Sequence, residues 1–212
     1  QIMTNQAETP FFSIVMPAYN EQAVITRTLQ DLTAELDSPA YSQYLSSSGR
    51  CRFEIVVTDD GSSDSTYDIV KKLSQQDDRI RVFRHDKNLG FGSAVMNSIR
   101  ESKGAKLLLV PSDGQFDPSE IRSFLKALDE YDLVIGVRPG REGYGLFRKF
   151  VSFVYISLVK ILFGKTFRDT NWVQAWKSEI FEKTTPRSSG VFFLQETITR
   201  TEKAGFSIGE IP

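Results

Sequence analysis

The sequence is poor in the residues that build cross-links and metal cages: of its 212 residues one is cysteine, Cys51, and one is histidine, His85. A single cysteine excludes an internal disulfide and a thiolate-rich zinc site, and it fits a reducing compartment, with the cytoplasm favoured. A single histidine, next to Asp86 at a strand end, argues against a histidine-based triad or zinc site and reads as structural or pocket-lining. Net charge is also nearly absent, since 26 Lys and Arg against 27 Asp and Glu give a formal charge of −1. Sequence-independent nucleic-acid binding thereby loses its main driving force. No apolar run reaches the ~18 to 20 residues needed to span a bilayer, and the N-terminal QIMTNQAETP lacks the apolar core of a secretory signal. The chain reads as soluble or peripheral; its stop at Pro212, straight after an apolar-alternating stretch, leaves room for membrane helices in a missing tail.

What is present is the composition of an ordinary globular domain, with 40% hydrophobic and 25% charged residues. The length suits one substantial core and is short for two, so a single domain over residues 1–212 is expected, with residues 1–10 as a flexible N-terminus. Apolar, β-prone segments at residues 11–17 (FFSIVMP), 53–60 (FEIVVTDD), 79–85 (RIRVFRH), 106–111 (KLLLVP) and 133–137 (LVIGV) read as strands. Between them lie helical stretches. After Asn20 as N-cap, Ile25, Leu29, Leu32 and Leu36 recur on one helical face, which predicts a helix over residues 22–36. Ser65 with Asp68 has the pattern of a capping box, and Asp117, Pro118 and Glu120 supply an N-cap, a first-turn proline and an N3 acid. Residues 39–50, rich in Ser and Tyr, read as an exposed, mobile connection. Strands alternating with helices predict an α/β fold with right-handed crossovers and a mainly parallel, doubly wound sheet, whose ligands sit at the carboxyl ends of strands.

Polar clusters fall at those strand ends. Pro17, Tyr19, Asn20 and Glu21 follow the first strand; Asp59, Asp60, Gly61, Ser62 and Asp64 the second; Asp113, Gly114, Gln115 and Asp117 a later one. A carboxylate at a strand end can accept the N–H donors of a uracil or guanine, while Gly61 lets the backbone approach the ring. Asp113 and Gln115 offer oxygen ligands for a hard divalent cation that neutralises a departing diphosphate. Taken singly, each cluster is equally well explained as a turn capping the next helix.

In series they are more specific. PAYNE at residues 17–21, VTDDGSSDST at 57–66, NLGFGSAVMNSI at 88–99 and SDGQFDP at 112–118 resemble, in order, the signatures of glycosyltransferase family two. Within it they look most like the branch of dolichyl-phosphate mannosyltransferases and bacterial polyprenyl-phosphate sugar transferases. The resemblance implies a GT-A, Rossmann-like three-layer α/β/α sandwich. It implies a nucleotide bordered by Pro17, Tyr19 and Glu21, a base contacted by Asp60 with Asp59 beside it, and a pocket shaped by Asn88, Gly90, Gly92 and Ser112. Asp113 with Gln115 would hold Mg²⁺ or Mn²⁺. The family usually places an acid two positions before Asp113, where this chain has Pro111, which implies weaker or less essential metal binding.

Arg138, Arg141, Arg148 and Lys149 precede an apolar run over residues 150–164 (FVSFVYISLVKILFG). That run is either a buried core helix or, as the resemblance implies, a helix lying in the membrane interface, with Arg138 and Arg148 holding donor and lipid phosphates. Asp169 and Glu196 stand where relatives carry late acids. Either is a candidate general base or a structural carboxylate pairing with Arg168 or Arg200. A sugar hydroxyl needs a base to become nucleophilic, whereas a lipid phosphate, with a second pKa of ~6, is already anionic at neutral pH. The conspicuous basic loop and the ambiguous bases favour inverting transfer from a UDP- or GDP-linked sugar to a polyprenyl phosphate, at the cytoplasmic face of a membrane. The alternatives are transfer to a saccharide hydroxyl, a catalytically silent nucleotide-binding homologue, and an NAD-dependent oxidoreductase. The last is disfavoured because Val95 stands where the third glycine of G-x-G-x-x-G belongs. A homo-oligomer is compatible with all of these.

Overall fold

The computed structural model describes residues 10–45, 52–137, 167, 170 and 172–212. Seven strands form one mixed sheet: β1 (Phe12–Ala18), β2 (Phe53–Asp59), β3 (Ile80–Arg84), β4 (Lys106–Leu109), β5 (Leu133–Gly136), β6 (Gln174–Lys177) and β7 (Ile208–Ile211), in the order β3-β2-β1-β4-β6-β5-β7. The pairs β3/β2, β2/β1, β1/β4 and β5/β7 are parallel, and β6 alone runs antiparallel to both its neighbours. The helices are α1 (Ile25–Leu36), α2 (Thr66–Gln76), α3 (Phe91–Glu101), α4 (Ile121–Ala127), α5 (Glu179–Lys183) and α6 (Phe193–Lys203).

Residue alternation in β1 sets up the layers. Phe12, Ile14 and Met16 point to one face, where they pack with Leu29 and Leu32 of α1, Val70 of α2 and Phe124 of α4. Val15 points to the other, into a second core with Val95 and Ile99 of α3, Trp176 of β6, Ile180 of α5 and Phe193 of α6. A strand with every residue buried, as β1 and β2 are, belongs at the centre of a sheet covered on both sides. The three-layer α/β/α sandwich expected from the strand–helix rhythm is therefore what forms.

Local details differ where side-chain chemistry has more than one outlet. Helix α1 begins at Ile25 rather than at residue 22. Asn20 does not cap it but adopts a left-handed φ of 57°, and its Oδ1 accepts from the Ser63 N–H at 2.9 Å. At α2 the Ser65 side chain makes no cap; the Asp64 carboxylate accepts from the Thr66 N–H at 2.9 Å instead. The Asp117 cap forms as expected, accepting from Ser119 N–H at 3.0 Å, and opens a 3₁₀ turn (Pro118–Glu120) that runs into α4. The segment read as an exposed connection begins with a 3₁₀ helix (Pro39–Tyr44) whose Tyr41 and Tyr44 are buried beside Phe12. Aromatic area, not sequence polarity, decided its place. Strand β6, α5 and α6 were not anticipated, although α6 buries Phe193, Leu194, Thr197, Ile198 and Thr201 along one face. The apolar run at 150–164 lies outside the described residues, and among those no helix is long and apolar enough to cross a membrane.

Asp132 ties the far edge of the sheet together. Its carboxylate accepts from Lys177 Nζ at 2.7 Å, at the end of β6, and from the Ser207 N–H at 2.9 Å, just before β7. Burial pushes this carboxyl up, but the Lys177 ammonium and the Ser207 N–H and hydroxyl outweigh it and hold the pKa at about 2. A depressed carboxylate stabilises the fold above its unfolded pKa and loses that contribution as pH falls toward its folded one. Asp132→Asn is therefore expected to cost about 1 to 2 kcal/mol at about pH 7, with the difference shrinking at about pH 3, as read from urea midpoints at the two pH values.

Candidate active site

Strand order reverses at β1, whose neighbours β2 and β4 lead away on opposite sides. A parallel sheet opens a crevice at such a point because the following loops diverge to opposite faces. A cleft of about 310 Å³ lies there. Pro17, Ala18, Tyr19 and Glu21 line it from the end of β1, Asp60 from β2, Pro111, Ser112 and Asp113 from β4, and Asn88, Gly90, Phe91 and Ala94 from the start of α3.

The loops are stitched to one another. Asn20 N–H donates to Ser62 Oγ at 2.9 Å and Glu21 N–H to Thr66 Oγ1 at 2.8 Å, joining the β1 and β2 loops. On the other flank Ser112 Oγ donates to the Pro17 carbonyl at 2.8 Å, and Thr28 Oγ1 to the Ser112 carbonyl at 3.2 Å. Each loop satisfies a neighbour's backbone, so the rim is formed before any ligand arrives.

Asp60 organises the third side. Only 3% exposed, it accepts from His85 Nδ1 at 2.7 Å, Leu89 N–H at 2.9 Å and Gly90 N–H at 2.8 Å. His85 is thus a structural partner of Asp60. Gly90, with φ of 97°, takes a conformation that a side chain would strain, and a Cβ there would lie 2.5 Å from the Ser189 carbonyl oxygen. Gly61 makes room for backbone rather than for a base: a Cβ on it would meet the Lys87 carbonyl carbon at 2.5 Å.

Eight of the residues expected at a nucleotide line this cleft: Pro17, Tyr19, Glu21, Asp60, Asn88, Gly90, Ser112 and Asp113. Asp59, Gly92 and Gln115 do not. Asp59 is fully buried; its Oδ2 accepts from Ser62 N–H and pairs with Arg84 Nε, each at 3.2 Å, while Oδ1 has no hydrogen-bond partner among the described residues. Gly92 packs α3 against the 188–190 loop, its N–H donating to Ser189 O at 2.6 Å. Gln115 is exposed, and its N–H donates to Asp113 Oδ1 at 3.0 Å. Ala18, Phe91, Ala94 and Pro111 were not foreseen as lining, because small or apolar residues beside the polar ones carry no chemical signature of their own.

Glu196 is engaged elsewhere. Its Oε2 accepts from Arg187 N–H at 3.0 Å and Ser188 N–H at 2.8 Å, and its Oε1 from Arg200 Nε at 2.7 Å. Burial raises this carboxyl, but the Ser188 and Arg187 donors and the Arg200 guanidinium prevail and bring it down to about 2. Such a group is a poor proton acceptor at neutral pH, and its pairing with Arg200 is the structural alternative that the sequence left open for it. Asp169, Arg138 and Arg148 lie outside the described residues.

Electrostatically the described lining is one-sided, with Glu21, Asp60 and Asp113 as carboxylates and neither Lys nor Arg. Burial, then the nearby charges of Asp113 and Asp64, push the Glu21 carboxyl up. A single carboxylate such as Asp113 suits a magnesium-like ion that takes its other oxygens from phosphates and water. Among the described residues no group of three His, Cys, Asp or Glu side chains forms a closed metal cage.

Fold and cleft define an α/β domain that receives its ligand at the switch point of a mostly parallel sheet. The sequence profile of Glycosyl transferase family 2 matches residues 13–189, and the chain belongs to that family. It is 30% identical over 210 residues to glycosyltransferase AglD of Haloferax volcanii, covering 94% of this chain and 32% of that protein. To the dolichyl-phosphate beta-glucosyltransferase ALG5C of Trichomonas vaginalis it is 31% identical over 172 residues, 76% of this chain and 49% of the relative. The undecaprenyl-phosphate 4-deoxy-4-formamido-L-arabinose transferase of Edwardsiella ictaluri is 30% identical over 175 residues, 81% of this chain and 50% of its own length. The chain thus spans between about a third and a half of these relatives.

Among solved structures, glucosyl-3-phosphoglycerate synthase of Mycobacterium tuberculosis, in complex with Mn²⁺, UDP-glucose and phosphoglyceric acid, superposes with a TM-score of 0.68 at 20% identity over 95% of this chain and 69% of that one. The S. aureus protein TarS (residues 1–349), in complex with UDP-GlcNAc, gives 0.61 at 19% identity, over 94% of this chain and 55% of the other. These likenesses establish the GT-A fold.

Asp60→Asn keeps the size of the side chain but turns one acceptor into a donor facing N–H groups. It is expected to loosen residues 88–90 and to weaken nucleoside diphosphate binding about tenfold, for a lost buried acceptor of about 1 to 3 kcal/mol, as read by titration calorimetry.

Proposed function

We propose that the protein transfers a sugar, with inversion, from a UDP- or GDP-linked donor to a polyprenyl phosphate at a membrane surface. The observation that carries the reading is the convergence of Asp60 and Asp113, from loops distant in sequence, on one cleft at the switch point. In this reading Asp60, which lines the cleft, meets the base, with Asp59 buried beside it. Tyr19 and Glu21 border the nucleotide.

A diphosphate entering a cleft of carboxylates needs positive charge from elsewhere. Asp113, with Gln115 beside it, would hold Mg²⁺ or Mn²⁺, which when bound neutralises the developing charge of the leaving diphosphate. Arg138 and Arg148 would supply the remaining cations. In the step itself an oxygen of the acceptor phosphate bonds to the anomeric carbon, the bond from that carbon to the diphosphate oxygen breaks, and the nucleoside diphosphate leaves with the electron pair.

The engagement of Glu196 favours a phosphate acceptor over a saccharide hydroxyl. An anionic phosphate needs no proton removed, whereas a hydroxyl needs a base that Glu196 is badly placed to be. The names of the Edwardsiella and Trichomonas relatives point the same way.

Three outcomes test this. Thermal shifts with UDP, GDP and their sugars should show one base preferred, with Mn²⁺ adding stability; at a ligand excess of about a hundredfold over Kd the gain is about 2.7 kcal/mol. Asp113→Asn should abolish the Mn²⁺-dependent part and leave most of the nucleotide-alone shift. Labelled sugar should pass to a polyprenyl phosphate, and Glu196→Gln should keep its turnover within about tenfold, against the ~10² to 10⁴ loss that removal of a general base brings. Transfer to a saccharide only, with that larger loss, would reverse the acceptor assignment.

A further inference from the structure

Two loops that meet beside the cleft expose large apolar side chains. Leu89 is 45% exposed, Val191 67% and Phe192 51%. Single exposed apolar residues are ordinary, but these share three features. Their loops are joined: the N–H of Gly92 donates to the Ser189 carbonyl at 2.6 Å, and a Cβ on Gly90 would meet the same carbonyl oxygen. Neither loop is loose at its base, since Asp60 holds the N–H groups of Leu89 and Gly90, and Glu196 holds those of Arg187 and Ser188. The joined loops also border the cleft, because Asn88 and Gly90 line it while Leu89, between them in the chain, is exposed outside it.

A rigid apolar rim at the mouth of a polar cleft is costly to leave in water unless something covers it. The exposed Lys87 and Arg187 stand at its margins and suit an occupant with an anionic head and an apolar body. Resting on the acceptor reading above, we infer that the Leu89–Val191–Phe192 rim docks the isoprenoid chain of the lipid acceptor, with the acceptor phosphate directed toward the cleft. The loop that Glu196 clamps is then the platform for the acceptor's tail, and Glu196 is a positioning residue for it.

The test is the double substitution Val191→Ser with Phe192→Ser, at positions exposed enough that folding does not depend on them. Nucleotide-induced thermal shift serves as the control for an intact donor site. Kinetics are measured with a long-chain polyprenyl phosphate and with a short, water-soluble prenyl phosphate. The expected result is a fall of about tenfold or more in kcat/KM for the long acceptor, carried by KM, with the short one changed by no more than about twofold. An equal fall for both acceptors, or no fall for either, overturns the docking. So does an equal loss of binding to phosphatidylglycerol vesicles that contain no prenyl phosphate, which would make the rim a general membrane contact. If the unsubstituted protein transfers sugar to neither prenyl phosphate but does transfer to a saccharide, the acceptor reading itself falls and takes this one with it.

Discussion

A carboxylate buried at the end of a central strand has to be satisfied, and the way Asp60 achieves this shapes the rest of the site. Left unpaired, a buried charge costs several kcal/mol, so the chain closes around it until its oxygens are met. His85 and the N–H groups of Leu89 and Gly90 do so. That requirement draws the loop after β3 across the end of β2 and forces Gly90 into a left-handed conformation. It also sets the start of α3 against the cleft, where Phe91 and Ala94 form its wall. The ligand surface is thus partly a by-product of neutralising one side chain.

The same logic extends outward. With α3 so placed, Gly90 and Gly92 admit the 188–190 backbone at distances no side chain would allow. That backbone in turn is held by Glu196 from α6, whose carboxylate is tied at its other oxygen to Arg200. A chain of hydrogen bonds therefore runs from the sheet centre through the cleft rim to the last helix. It links positions that are remote in sequence and occupies the acid that chemistry alone would nominate as a base.

The charge of the cleft explains the division of labour expected of the family. Hydrophobic cores on both faces of the sheet fix where the strand ends lie, and the carboxylates gathered there repel one another and any further negative charge. The Glu21 carboxyl is raised first by burial and then by the nearby charges of Asp113 and Asp64. An anionic ligand entering such a cleft would need a cation, whether metal or guanidinium, to offset that charge.

Much of this was legible in the linear chain. Short, nearly continuous apolar runs located β1 to β5, and apolar stripes with capping signals located most helices, because a strand covered on both faces and a helix covered on one leave distinct apolar rhythms. The polar strand-ends together with the family-like motifs named eight of the residues that line the cleft. Other features were not encoded locally. Asn20 and Asp64 each had several donors within reach, and which they chose depended on how the β1 and β2 loops came together. Tyr41 and Tyr44 looked like loop residues until Phe12 offered them an apolar surface. Glu196 read equally as a base or as the partner of an arginine until Arg187, Ser188 and Arg200 closed on it. Residue type and spacing thus determined the elements and the chemistry on offer. Tertiary structure decided which polar groups remain free to use it, since a buried donor or acceptor takes whichever partner the fold brings nearest.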